Sequence, residues 1–129
     1  MCDFVKALKN KPDFYMLSGA TTEQIDQAEK ALDVKFAKEY REYLSAFGVA
    51  SVFGHEFTGI CQSSRLNVVD VTISERQRNP SVPLEFYVVE QANMDNIVVW
   101  QSNTGAVYQS AKKTSPVELC NSLYEYLDL

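Results

Sequence analysis

Apolar residues recur at helical spacing in the first segment of the chain. Over residues 2–9, Phe4, Val5 and Leu8 fall on one side of two helical turns. Pro12 follows closely, and the residue before a proline is pushed out of the helical region of backbone space. A short amphipathic helix that ends before the proline is therefore predicted.

Residues 21–48 predict two further amphipathic helices in succession. Thr21 and Gln24 match a capping box, in which each side chain satisfies the other residue's free backbone N–H. The apolar stripes are Ile25, Ala28 and Leu32 in the first helix, and Tyr40, Tyr43, Leu44 and Phe47 in the second. Gly48 then suits the position that ends a helix. Because the link between them is short, the two helices are expected to form a helical hairpin that packs on other elements.

Residues 66–78 carry conflicting signals. The β-branched run at 68–73 favours a strand by propensity. Asn67 followed by Asp70 instead resembles a helix N-terminus, and apolar positions in the same stretch repeat at helical spacing. From the residues alone, both helix and strand remain open for this segment.

The second half of the chain predicts antiparallel hairpins. Short segments rich in Val, Ile, Phe, Tyr and Trp occupy residues 84–91, 96–101 and 105–109, with tight turns between them. A glycine-containing loop leads into one more predicted strand near residues 56–61.

A closing helix is predicted from the sequence after the hairpins. Ser115 and Glu118 form a second capping box, and Pro116 occupies the first helical position. The expected apolar face carries Leu119, Cys120, Leu123 and Leu127 to the end of the chain. Helices and antiparallel strands together predict one α+β domain over residues 1–129.

Composition and charge narrow the function. No window holds the ~20 apolar residues that a bilayer span needs, and the N-terminus lacks the apolar core of a signal peptide, so a cytoplasmic protein is expected. The formal net charge of −5 argues against binding to nucleic acid or anionic membrane. The same charge favours a basic protein partner, because complementary charge speeds association.

The sequence offers weak support for catalysis. Cys2, Cys61 and Cys120 are odd in number and widely spaced, so neither a disulfide framework nor a zinc site is expected. An enzyme would have to pair His55, the only histidine, with Cys61 as nucleophile and Glu56 as acid. A loop histidine hydrogen-bonded to backbone is the simpler interpretation.

Glycosidase, nucleic-acid-binding and cofactor sites are also weakly supported by the sequence. The carboxylates Glu85, Glu90 and Asp95 border the predicted hairpins as a glycosidase pair would, but solvated charges at a sheet edge explain them equally. Strand aromatics such as Trp100 resemble a platform for single-stranded nucleic acid without the basic groove that such a site needs. No phosphate-binding glycine motif occurs, so no cofactor is expected. No metal is expected either, because His55 has no second histidine near it and Cys61 alone supplies too few ligands.

The order of fold-determining residues resembles the SUKH superfamily, which contains fungal cell-wall assembly regulators and many bacterial immunity proteins of polymorphic toxin systems. The residues that carry the resemblance are Ala20, Thr21, Ile25, Glu29, Leu32, Val34, Lys35, Phe36, Tyr40, Arg41, Leu44, Phe47 and Gly48, then Gly59, Ile60, Val69, Thr72, Arg76, Pro83, Phe86, Tyr87, Val88, Val89, Trp100, Gly105 and Val107. The resemblance covers about residues 14–127. It departs at Ala37, where the family usually has proline, and at Gly48-Val49, where two glycines are common.

The resemblance implies a central antiparallel sheet with helices packed around it, and a helix over about residues 67–78. It also implies an immunity protein that binds and occludes a cognate toxin. The acidic balance of the chain favours a basic toxin, for example a nuclease. The alternative is a scaffold or regulatory interaction module, as in the fungal members. The candidate partner contacts, taken from the expected solvent side of the sheet, its loops and the segment after it, are Asp70, Glu75, Glu85, Glu90, Asp95 and Trp100.

Overall fold

The computed structural model describes residues 2–92, 96–111 and 114–129. Within these residues the chain forms five helices and seven strands. In chain order they are α1 (Asp3–Lys9), β1 (Tyr15–Met16), α2 (Thr22–Leu32), α3 (Lys38–Phe47), β2 (Ala50–Val52), β3 (His55–Glu56), α4 (Val68–Arg78), β4 (Tyr87–Gln91), β5 (Val98–Gln101), β6 (Val107–Ser110), β7 (Val117–Cys120) and α5 (Leu123–Tyr126).

The strands form two antiparallel sheets in which neighbours in sequence are neighbours in space. The small sheet has the order β1-β2-β3 and the large sheet the order β4-β5-β6-β7. An isolated bridge between Phe57 and Glu90 connects them, and the N–H of Thr58 donates to the carbonyl of Val89 at 2.9 Å. The predicted α+β class is confirmed. The expected single sheet is divided into a small and a large one.

The helical hairpin forms as its local signals predict. The N–H of Gln24 donates to the Thr21 hydroxyl at 3.1 Å, and the N–H of Thr21 donates back to the Gln24 side chain at 2.9 Å, so the capping box is complete. Gly48 follows α3 with a φ of 68°, which glycine adopts without a steric penalty. The predictions for α2 and α3 are confirmed.

Glu29 fixes the link between α2 and α3. Its carboxylate accepts the backbone N–H of Phe36 at 2.7 Å and a guanidinium N–H of Arg41 at 2.8 Å. A second N–H of Arg41 donates to Asp26 at 3.0 Å. One nearly buried carboxylate therefore holds both the link and the next helix against α2.

The ambiguous segment is helical, as the family resemblance implies. The Asn67 side chain accepts the N–H of Val69 at 3.0 Å and caps α4. Farther along the helix, the buried Thr72 hydroxyl accepts the N–H of Val88 at 3.0 Å. Packing of α4 against β4 therefore outweighs the β propensity of its valines.

Strands β4 and β5 of the large sheet are buried on both faces. Along β4, Tyr87 and Val89 pack into the main core with α1, α2, α3 and α5, while Val88 between them faces a second core. The second core lies on the opposite face of the large sheet and contains Val71, Val82, Phe86, Val88, Val98 and Trp100. Burial on both faces explains the continuous apolar runs of β4 and β5.

Tyr87 connects the α2–α3 link to β5 inside the main core. Its hydroxyl accepts the N–H of Ala37 at 2.9 Å and donates to the side-chain oxygen of Gln101 at 2.8 Å. All three residues are buried. Removal from water raises the pKa of Tyr87 well above its usual value, so the hydroxyl stays neutral.

The end of the chain departs from the predicted helix. Residues 117–120 form β7, which pairs antiparallel with β6, so the helix expected to begin at Ser115 is wrong. Cys120 lies half-buried on this strand rather than on a helix. Pairing with β6 supplies the backbone hydrogen bonds that a helix would otherwise have provided.

The helix α5 is a single turn that begins after a different serine. The Ser122 hydroxyl accepts the N–H of Glu125 at 3.1 Å. The carboxylate of Glu39 on α3 accepts the N–H groups of Leu123 and Tyr124 at 2.7 and 3.1 Å. This remote carboxylate satisfies the free donors at the start of α5.

Candidate functional site

The tip of the β2–β3 hairpin carries the most exposed large apolar side chain of the described residues. Val52 pairs with His55, so Phe53 and Gly54 form a two-residue turn. Gly54 has a φ of 84°, and a Cβ at this position would meet no atom within 4 Å. Phe53 is 90% exposed. Its ring therefore stands in open solvent at the end of a tight turn.

The small sheet presents one face to solvent, here called the outer face and made of Tyr15, Leu17, Ser51 and Glu56. Tyr15 lies opposite Ser51, and Ser51 lies opposite Glu56, so these side chains share a face. Tyr15 is 65% exposed and Leu17, two positions on, is 39% exposed. Tyr15, Leu17 and the Phe53 tip therefore give this side of the small sheet an exposed apolar surface.

An ion pair borders this apolar surface. The guanidinium of Arg65 donates to both oxygens of Glu56, at 2.6 and 3.1 Å. These hydrogen bonds and the positive charge hold the pKa of the Glu56 carboxyl below its usual value. An apolar centre with a polar margin is the usual composition of a protein–protein interface.

Glu90 lies inside the molecule and holds the hairpin at its base. Its carboxylate accepts the backbone N–H of Glu56 at 2.7 Å, Nδ1–H of His55 at 3.0 Å, and the hydroxyl of Tyr126. Burial and the neighbouring Glu90 charge raise the pKa of Tyr126. The prediction that Glu90 faces solvent is wrong, because β3 and α5 cover it.

The structure does not bring His55 and Cys61 together as a catalytic pair. The imidazole bonds to Glu90 and stacks on the ring of Phe57, whereas the Cys61 thiol donates to the carbonyl of Ser63 at 3.4 Å. His55 therefore has a carboxylate partner in place of the expected backbone one. In residues 2–92, 96–111 and 114–129, no three His, Cys, Asp or Glu side chains are grouped to hold a metal ion.

Glu75 and Trp100 were also predicted at the surface, and both are buried. Glu75 accepts the side-chain N–H of Gln91 at 2.6 Å, since its side of α4 packs on β4. Trp100 is fully buried in the second core, and its ring N–H donates to the Ser110 hydroxyl at 2.9 Å. Both predicted surface positions are wrong, because Glu75 lies on the side of α4 that meets the sheet and α4 covers the face of the sheet that carries Trp100.

Asp70 and Glu85 are the candidates that the structure leaves exposed. Asp70 lies in the first turn of α4, and Glu85 lies in the segment before β4. Neither carboxylate takes part in a salt bridge within the described part of the chain. The sixth candidate, Asp95, lies outside the described residues.

Sequence reasoning missed Phe53 and Tyr15 as surface residues. The sequence pattern around Phe53 predicts a loop leading into a strand, and the signal for the turn is Gly54, whose φ of 84° suits the second central position of a tight turn. Tyr15 carries no such signal, since its exposure depends on which face of a two-residue strand meets the core.

Comparison with known proteins places the chain in a family. The family model SUKH_5, described as SMI1-KNR4 cell-wall, matches residues 1–128. The chain therefore belongs to the SUKH family, which includes immunity proteins and SMI1/KNR4-like proteins and is generally non-enzymatic. No curated protein matches it. Every helix among the described residues is too short or too polar to span a bilayer.

Proposed function

We propose that this SUKH-family chain is an immunity protein that binds a cognate polymorphic toxin in the cytoplasm and occludes the toxin's active site or substrate groove. The complex is non-covalent, and the chain itself performs no catalysis and needs no cofactor. The toxin is a basic protein, for example a nuclease. Immunity proteins within the family and the surface chemistry of this chain support the assignment.

The observation that carries the proposal is the outer face with Phe53 at its edge. Phe53 is 90% exposed and lies two positions beyond Ser51, which pairs with the exposed Tyr15. Exposed apolar residues that cluster in this way mark interaction sites. A standard interface buries about 800 Å² on each partner. The outer face, the hairpin tip and the adjoining loops offer a surface suited to that role.

Charge supports a basic partner. The formal net charge is −5, and the exposed Asp70 and Glu85 have no cationic neighbour within salt-bridge distance among the described residues. Exposed carboxylates of this kind steer a positively charged partner during diffusion. Asp70 and Glu85 are proposed to accelerate encounter, while the apolar surface around Phe53 supplies the lasting contact.

Binding to the toxin encoded beside this chain's gene tests the proposal directly. The purified protein should form a complex with the toxin's catalytic domain and inhibit its activity at equimolar concentration. A domain from an unrelated toxin serves as the control. Absence of a complex with every neighbouring toxin domain would contradict the proposal.

Charge reversal tests the steering role. In an Asp70→Lys/Glu85→Lys double variant, the association rate with the toxin should fall about tenfold at low ionic strength. Each reversal replaces a negative charge by a positive one and so changes the net charge by two units. The neutral Asp70→Asn/Glu85→Gln variant should show a smaller effect, and the differences should shrink as salt screens the charges. An association rate that is equal in all three proteins would rule out steering.

The second candidate is a regulatory interaction module, which the SMI1-KNR4 cell-wall description of the matching family favours. It uses the same exposed surface, but the partner is a housekeeping protein of the cell. Recovery of such a protein by wild-type bait but not by a Phe53→Ser variant, together with no protection against a neighbouring toxin, would favour this role.

A further inference from the structure

Resting on the proposed function, we infer that the β2–β3 hairpin is a preformed plug whose Phe53 ring enters an apolar pocket of the toxin, and that Glu90 positions it. The partner is a protein different from this chain, with a net positive charge and a concave site. Phe53 is thus the central contact, and Glu90 acts from inside without touching the toxin.

The hairpin has the shape of an insertion element. Phe53 and Gly54 alone form the turn, so the aromatic ring lies at the extreme end of the hairpin. No atom lies within 4 Å of the Cβ position at Gly54, which leaves the tip free to enter a cleft. Aromatic side chains that fill a partner's pocket are common centres of binding energy.

The hairpin is held rigid by bonds at its base. Glu90 accepts from the backbone of Glu56 and from the His55 ring, and it accepts the hydroxyl of Tyr126 on α5. The N–H of Phe57, just beyond the hairpin, donates to the carbonyl of Ala50 at 3.1 Å. A preformed hairpin loses little conformational freedom when it binds.

A second copy of this chain is a less suitable occupant than a basic protein. The groove between α1 and α5, about 380 Å³, is lined by charged side chains that include Lys6, Lys11 and Asp128. The groove between α2 and α3, about 410 Å³, is lined by Ile25 and Phe36 together with Lys38, Arg41 and Glu42. Charged side chains therefore border both grooves, and two copies at a net charge of −5 repel each other.

A membrane is the weaker alternative for an exposed aromatic residue. Stable binding at a lipid surface uses basic side chains around the apolar anchor. Arg65, the basic residue beside the hairpin, is already paired with Glu56. The negative net charge further opposes approach to anionic lipids.

The direct test compares Phe53→Ser with Leu84→Ser. Leu84 is a matched control, since it is 73% exposed in the separate segment before β4. Dissociation constants are measured for the catalytic domain of the toxin encoded beside the gene. Phe53→Ser should weaken binding about 30-fold or more, mainly through faster dissociation, whereas Leu84→Ser should change it less than about twofold.

The positioning role of Glu90 has a readout in the free protein. In Glu90→Gln, amide hydrogen exchange should quicken in the hairpin at residues 53–57, while β5 and α3 keep their protection. Binding to the same toxin domain should weaken about three- to tenfold, because the hairpin must be ordered on binding. Unchanged exchange in the hairpin would overturn the role of Glu90.

The outcomes separate this inference from the proposed function. If the wild type binds and inhibits the toxin but Phe53→Ser binds equally well, the plug is overturned and the immunity role stands. If the wild type binds no toxin encoded beside its gene, both the immunity role and the toxin as the partner of Phe53 are contradicted. Phe53-dependent sedimentation with phosphatidylcholine–phosphatidylglycerol vesicles would overturn the choice of a protein partner.

Discussion

The hydroxyl of Tyr87 joins the α2–α3 link to β5, and its removal tests how the main core is held together. A Tyr87→Phe substitution leaves the N–H of Ala37 and the side-chain oxygen of Gln101 buried without their partner. Each orphaned group costs about 1–3 kcal/mol. Because the phenyl ring itself is retained, the change in packing energy is small. The two orphaned groups together are therefore expected to lower the free energy of unfolding by about 2–6 kcal/mol.

A substitution at Ala37 provides a second test of the Tyr87 hydroxyl. The φ of −60° at Ala37 suits proline. However, a proline ring carbon would replace the N–H hydrogen and collide with the Tyr87 hydroxyl, which lies 2.9 Å from that nitrogen. Ala37→Pro should therefore destabilise the wild type. In the Tyr87→Phe background it should be neutral or stabilising, since it removes the orphaned donor. The expected coupling between the two sites is about 2 kcal/mol.

Urea denaturation of the four proteins in this double-mutant cycle provides the measurement. Trp100 is the only tryptophan and is fully buried, so its fluorescence reports global unfolding. The midpoint should shift while the denaturant dependence stays constant. A Tyr87→Phe loss under about 0.5 kcal/mol, or an Ala37→Pro effect equal in both backgrounds, would refute the proposed role of the hydroxyl.

Two further predictions concern carboxylates that fix the helices. Glu29→Ala should lower the free energy of unfolding by about 2 kcal/mol, because the buried N–H of Phe36 and the Arg41 guanidinium lose their acceptor, and Glu29→Gln should lower it less; equal midpoints for all three proteins would contradict this. Burial raises the pKa of Glu39 above 4.5, so the folded state binds its proton more tightly than the unfolded state. The resulting stabilisation is complete below pH 4.5 and is lost as the pH rises through the raised pKa. Denaturation from pH 4.5 towards neutrality should show this loss in the wild type but not in Glu39→Gln, with the exposed Glu118→Gln as control; parallel profiles for wild type and Glu39→Gln would exclude it.

The helical half of the chain was predictable because its signals are local. The capping box of α2 joins residues three positions apart, and the apolar stripes of α2 and α3 repeat within single turns. These interactions are formed by neighbouring residues whatever the rest of the chain does. The apolar segments of β4, β5 and β6 were located for a similar reason, since residue composition and tight turns mark antiparallel hairpins.

The closing segment shows where local signals fail. The chain contains two Ser-x-x-Glu sequences, at Ser115 and Ser122, and the one with proline in the first helical position has the better helix signature. The structure begins its helix after Ser122 and makes a strand of residues 117–120. Pairing with the free edge of β6 makes residues 117–120 a strand, and the carboxylate of Glu39 accepts the N–H of Leu123 at the start of α5. The choice between the two serines therefore depends on groups outside the closing segment.

The candidate contacts were only partly predictable for the same reason. A carboxylate in a strand normally indicates a solvated position, and Glu90 would fit that pattern if His55 and Tyr126 did not enclose it. Trp100 would likewise be accessible if α4 did not cover its face of the sheet. Asp70 and Glu85, which no other element covers, are exposed as expected.

The amino-acid sequence by itself determined the amphipathic helices, their caps, the hairpin-forming strands and the mixed α and β character of this protein. Only the tertiary structure decided that the sheet divides in two, that residues 117–120 pair as a strand, and which acidic side chains lie inside. The physical reason is the sequence distance over which polar groups are satisfied. The capping box spans three residues, whereas Glu90 meets His55 across 35 residues and Glu39 meets Leu123 across 84.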